Sequence, residues 1–152
     1  MGLYDILLFI HIFSAILGLG PGFVMIYVVT KATTMTELRH AYIIRNRIHV
    51  FVMVGGTLLL LTGIGMGVLR PALFQMIWYD ASLFLFLIAL AAGPVVLSPL
   101  SKPIKALLQN YPTGEEAIPE EYNKLANQLF LYERITNVIF IVIIALMIIK
   151  PF

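Results

Sequence analysis

Four ionisable side chains stand inside or at the edge of stretches otherwise suited only to hydrocarbon: His11, His49, Glu133 and Arg134. Ionisable groups at membrane depth are costly to bury, so each marks a candidate site. His11 shares a helical face with Ser14, and its imidazole has the chemistry of a haem axial ligand and hence of a metal ligand. Met66 lies at similar depth on the next apolar stretch and could supply a second ligand. The plainer reading has His11 hydrogen-bonded to Ser14 or to a backbone carbonyl. Arg45 and His49 are i,i+4 neighbours on one face. With Glu133 and Arg134 they make a second cluster, able to hold an anionic headgroup, a quinone carbonyl or a haem propionate, or to relay a proton through His49. An ion-pair network that fixes helix register is the plainer reading of that cluster. His40 reads as solvated.

Other chemistry is absent from the sequence. With no cysteine, disulfides, thiolate metal sites and thiol redox switching are excluded. There is no His-Glu-x-x-His spacing, no carboxylate pair within an apolar run and no phosphate-cradling loop followed by Lys. The acids Glu115, Glu116, Glu120 and Glu121 read as a solvated loop and helix start, and the seven methionines do not cluster into a copper path.

The elements that must position these residues follow from composition. Only 12% of the 152 residues are charged and 61% are hydrophobic, with a mean hydropathy of +0.97. Soluble domains carry about 25% charge. A soluble enzyme, a disordered chain and a nucleic-acid binder are therefore excluded, and the lipid bilayer is the partner. Ile6–Thr30, Val50–Leu69 and Ala81–Ser101 carry no Asp, Glu, Lys or Arg. Each approaches or exceeds the roughly 20 residues needed to span a hydrocarbon core. Ile135–Ile149 is too short alone and must extend back past Arg134 and Glu133.

The expected architecture is all-α: a four-helix transmembrane bundle, up-down-up-down, forming one integral membrane domain over 1–152. Its spans fall at about 4–30, 42–69, 76–98 and 128–149, with cytoplasmic helix extensions at about 35–41 and 119–127. A cytoplasmic loop is expected over about 101–118. The first span is read as retained rather than cleaved, because Asp5 replaces a basic leader. Lys31, Arg39, Arg45, Arg47, Lys102, Lys105, Lys124 and Arg134 flank one side of these spans, and Arg70 and Lys150 the other. The positive-inside rule then puts both termini outside a plasma membrane.

Local signals set the helix boundaries. Thr34-Met-Thr-Glu37 matches a capping box and starts helix two near Met35. Pro71 suits the first turn of helix three, Pro94 and Pro99 kink or end it, and Pro119-Glu-Glu starts helix four. Pro21, flanked by glycines, suggests a kink in helix one. Small residues let membrane helices pack closely. The expected stripes are Gly18 and Gly22 on helix one, Gly56, Gly63 and Gly67 on helix two, and Ala89 and Gly93 on helix three. They serve contacts within the bundle or between protomers of a homo-oligomer, or clear room for a flat ligand. At about 1.5 Å per residue, His11 and His49 lie roughly 25 Å apart along the membrane normal. They cannot ligate one haem together.

The opening Leu-Tyr-Asp-Ile-Leu-Leu-Phe-Ile-His-Ile, the Gly-Leu-Gly-Pro-Gly segment, Arg45-x-Arg47-x-His49, Ser-Lys-Pro-Ile-Lys and Tyr132-Glu-Arg134 together carry a resemblance. Over essentially its full length the chain resembles the bacterial integral membrane proteins grouped as domain of unknown function 2269. That resemblance implies fold and location, not an activity. More distantly, a histidine in the first of four membrane helices is similar to haem-dependent membrane protoporphyrinogen oxidase and copper-resistance D-type proteins. By that analogy His11 would ligate haem b. The third span, Ala81–Ser101, has no lysine and departs from the oxidase pattern, so the analogy does not extend to the oxidase activity. Two functional classes stand: a redox-associated protein binding haem b or a quinone, and a non-enzymatic scaffold or small-solute carrier.

Overall fold

The computed structural model describes residues 1–111 and 117–151. Among the described residues there are five α-helices: α1 (Leu3–Thr30), α2 (Met35–Leu69), α3 (Ile77–Ala92), α4 (Ser98–Asn110) and α5 (Glu120–Ile149). There is no strand among the described residues. Four stretches are long and apolar enough to cross a membrane: α1, α2, Ile77–Asn110 and α5. Their 28, 35, 34 and 30 residues all exceed the roughly 20 that a hydrocarbon core requires.

Capping chemistry explains where the helices begin. The Gly2 amide donates to Asp5 Oδ2 at 2.9 Å and opens α1. At α2 the Glu37 amide donates to Thr34 Oγ1 at 3.2 Å, as the capping box requires. The return bond differs from expectation, because Glu37 Oε2 accepts from the Thr33 amide (2.8 Å) and hydroxyl (2.9 Å). Its carboxylate thus reaches one residue further back than a capping box does. α1 runs unbroken through Pro21.

The third span corrects two expectations. Pro71 opens a 3-10 turn over Pro71–Gln75, and α3 begins only at Ile77. Farther on, the helix does not end at about residue 98. A π-helical turn over Gly93–Leu97 absorbs the hydrogen bond that Pro94 cannot make, and the chain continues as α4. Pro99 sits in the first turn of α4, where it is tolerated. Ser98–Asn110 is therefore helical where a loop from about 101 was expected. Ile104 and Leu108, one turn apart, are buried, whereas Lys102 and Lys105 are exposed. Arg39 closes the end of α4, its Nε donating to the Leu108 carbonyl and Nη2 to that of Tyr111, each at 2.9 Å. Of the expected loop, 112–116 lies outside the described residues, and Glu115 and Glu116 with it.

Packing is densest between α1 and α2, and glycine makes it so. A Cβ on Gly18 would lie 2.7 Å from the Gly55 carbonyl carbon and from the Gly56 nitrogen, so the two backbones touch. The partner of Gly18 is Gly55, a residue the expected stripe omits. Gly56 faces Phe86 of α3, and Gly22 faces Asn137 of α5. Leu19, Leu59, Phe86 and Ile143 fill the middle of the bundle. A larger cluster joins Val29, Met35, Leu38 and Tyr42 to Ile104, Tyr122 and Leu129 at one end. At the other end the Arg70 guanidinium stacks 3.8 Å from the Tyr4 ring centroid, and the Lys150 ammonium lies 5.4 Å from that of Trp78. The outward faces carry Phe9, Phe84, Val95 and Ile148, all exposed, a surface that water would not tolerate and acyl chains would.

The glycine contact is directly testable. Gly18→Val or Gly55→Val should lower the thermal unfolding midpoint in detergent, since overpacking costs about 1–3 kcal/mol. Gly20→Ala has no neighbour within 4 Å and should leave that midpoint unchanged or raise it. An unchanged midpoint for the two valine variants would contradict the backbone contact.

Candidate functional site

Two polar clusters lie within the bundle. The first bridges α2 and α5. Arg45 Nη1 donates to Glu133 Oε2 at 3.1 Å, and Nη2 donates to Oε1 of the same carboxylate. The pair is thus bidentate, with Arg45 7% and Glu133 8% exposed. Desolvating two charges is offset only when the geometry is good and the remaining bonds are satisfied. A parallel fork between guanidinium and carboxylate meets that condition. The Tyr42 ring lies 5.9 Å from the Arg45 guanidinium carbon. Its hydroxyl shares a 3.1 Å hydrogen bond with that of Tyr122, and the two rings meet edge to face. Both tyrosines are buried.

The structure brings together only part of the expected inner cluster. Arg45 and Glu133 meet as their helical faces suggested. His49, one turn beyond Arg45, is exposed and makes no hydrogen bond among the described residues, yet it lies within electrostatic reach of both Arg45 and Glu133. Arg134 is likewise exposed, makes no bond to the pair, and lines a pocket beside α1. His40 is exposed as well.

The second cluster bridges α1, α2 and α3. His11 Nδ1 lies 2.9 Å from Thr62 Oγ1. The Thr62 hydroxyl also lies 2.7 Å from the Leu58 carbonyl, to which it donates. A hydroxyl has one proton. In the tautomer that carries its proton on Nδ1, His11 donates to Thr62, whose own proton goes to Leu58. The Leu59 backbone is a further hydrogen-bond partner of the ring. The imidazole rests directly on α2, where a Cβ on Gly63 would lie 3.3 Å from His11 Cε1. Next to it the Tyr79 hydroxyl donates to the Gly63 carbonyl at 2.6 Å, and Gly67 leaves space for Phe74 and Tyr79. Met66 is buried one turn beyond Thr62.

Ser14 does not partner His11. It is fully buried, and its Oγ has no hydrogen-bond partner among the described residues. Sequence reasoning missed Thr62, because it looked for the His11 partner in Ser14 of the same helix or in a backbone carbonyl. Matching His11 in depth against every polar residue of α2 would have found it. Thr62 and His49 are separated by 13 residues, about 20 Å of helical rise, so the two histidines stay far apart. Among the described residues no group of three His, Asp or Glu could hold a bare metal ion.

Residues 5–151 match the family model described as predicted integral membrane protein, DUF2269. No curated protein and no solved structure matches the chain.

Unfolding in mixed micelles checks the buried pair. Glu133→Gln or Arg45→Met alone should destabilise the protein by about 3–5 kcal/mol, because the surviving partner stays buried and uncompensated. The double variant Arg45→Met/Glu133→Leu should recover most of that loss. A double variant as unstable as the sum of the single losses would show that the charges are not coupled.

Proposed function

The chain belongs to the DUF2269 family of predicted integral membrane proteins, and from that premise we propose that it binds haem b or a quinone-like redox lipid through His11. One observation carries this reading: His11 Nδ1 lies 2.9 Å from Thr62 Oγ1, and in the tautomer with the proton on Nδ1 the Nε2 atom carries the lone pair. Histidines that ligate metals donate their other ring N–H in this way, which orients the ring and raises its basicity. A haem iron would take the Nε2 lone pair directly. A quinol hydroxyl would donate to the same lone pair, and a quinone carbonyl could accept from the nearby Ser14 hydroxyl. The ring packs straight onto Gly63, which leaves no gap for a macrocycle between it and α2. A flat ligand would therefore approach the part-exposed imidazole from the lipid side.

A second reading, a non-enzymatic scaffold or small-solute carrier, is favoured by the Arg45–Glu133 pair. Those two charges neutralise each other within the bundle and leave nothing over for a propionate. The proposed setting is a plasma membrane with both termini outside.

Absorption spectra of detergent-purified protein from haem-replete cells discriminate the two. The first reading expects a Soret band or a co-purified quinone, lost in His11→Ala. Thr62→Ala should weaken binding about 10–100-fold. Neither haem nor quinone in the wild-type protein, or a spectrum unchanged by His11→Ala, overturns it. The orientation is tested separately, helped by the absence of native cysteine. An impermeant maleimide should label Gln75→Cys in intact cells and Asn110→Cys only after lysis. The opposite pattern reverses the topology.

A further inference from the structure

Between the end of α1, the start of α2 and the first half of α5 lies a pocket of about 250 Å³. One wall is polar: Asn123, Asn127 and Arg134 of α5 line it together with Thr30 of α1. Spacings of four and seven residues place the three α5 side chains on one helical stripe. None of them has a hydrogen-bond or ion-pair partner among the described residues. Thr30 donates its only hydroxyl proton to the Tyr27 carbonyl at 3.0 Å. The free hydrogen-bonding capacity of the polar wall therefore centres on two amides and a guanidinium, and among the described residues no acidic side chain lines the pocket. The adjacent Glu133 does not cancel Arg134, because its carboxylate is held by Arg45 on another face. The remaining wall, including Val29 and Leu38, is apolar.

We propose that this pocket binds a phosphate group, either the headgroup of an anionic phospholipid or a soluble phosphate compound. A guanidinium fork matches phosphate geometry, and asparagine amides add neutral donors to the same oxygens. Arg134 stands just inside the edge of the span, from where a long arginine side chain snorkels out to the level of the phospholipid phosphates. The apolar wall suits the glycerol and first methylenes of a lipid.

The full-length chain in micelles, supplied with phosphatidylglycerol or phosphatidylcholine, is examined by native mass spectrometry. Wild-type protein should retain phosphatidylglycerol in preference. Arg134→Gln should cut that retention about tenfold, the loss of one charge-assisted hydrogen-bonding group. Asn127→Leu should also reduce it. Arg47→Gln removes an exposed cation outside the pocket and should change nothing. Arg134 is exposed and unpaired, so its variant should unfold at the wild-type temperature. Millimolar inorganic phosphate added as competitor separates the sources: displacement assigns the site to soluble phosphates, and resistance assigns it to the lipid. Equal loss in Arg134→Gln and Arg47→Gln, or no preference for the anionic lipid, overturns the proposal.

Discussion

A guanidinium and a carboxylate cannot be withdrawn from water separately. Arg45 and Glu133 solve that constraint together, and much of the bundle is arranged around the solution. α5 meets α3, α4 and α1 by close backbone approach, whereas its link to α2 is made by long side chains. Those side chains are Arg45 to Glu133 and Tyr42 to Tyr122. A rotation of α5 by one residue, about 100°, would carry Glu133 out of the bundle and leave Arg45 buried alone. The pair therefore specifies register between two helices that a purely apolar contact would let slide.

The opposite strategy governs α1 and α2. There the side chains are removed, so that Gly18 and Gly55 bring the backbones into contact. That approach is what lets His11 reach across to Thr62 while resting on Gly63. With a side chain at Gly63 the ring would be pushed back from α2, and its bond to Thr62 would lengthen. The membrane supplies no hydrophobic drive between helices, so shape and hydrogen bonding carry the association. α1 and α2 use the first, α2 and α5 the second.

This division explains what could be read from the sequence and what could not. Ionisable residues in apolar runs announce themselves by their cost, so Glu133 was legible as a buried group and Arg45 as its partner. The length deficit of Ile135–Ile149 pointed the same way, and α5 does extend back to Glu120. Gly55 was not legible, because Gly56 beside it completes an equally regular stripe and only the crossing of α1 decides between them. The course of the third span was hidden by its prolines. Pro94 and Pro99 signal a break, yet a π-turn accommodates the first and a helix start the second. Thr62 was hidden for another reason. A threonine in a helix can return its proton to the carbonyl four residues earlier, so it costs little in lipid and stands out in no hydropathy profile.

That same habit singles out Ser14. Thr57, Thr62, Ser82 and Thr136 each donate to the carbonyl four residues before them, at 2.7 to 2.9 Å. Ser14 has the same option on the same kind of helix and does not take it, although it is fully buried. An unmade bond at such a site costs about 1–3 kcal/mol. Three residues earlier on the same face, His11 by contrast bonds across to Thr62 and to the Leu59 backbone. Every other buried polar side chain among the described residues is satisfied from within the bundle. Ser14 is therefore the one buried side-chain group among the described residues that the bundle leaves free to take a partner.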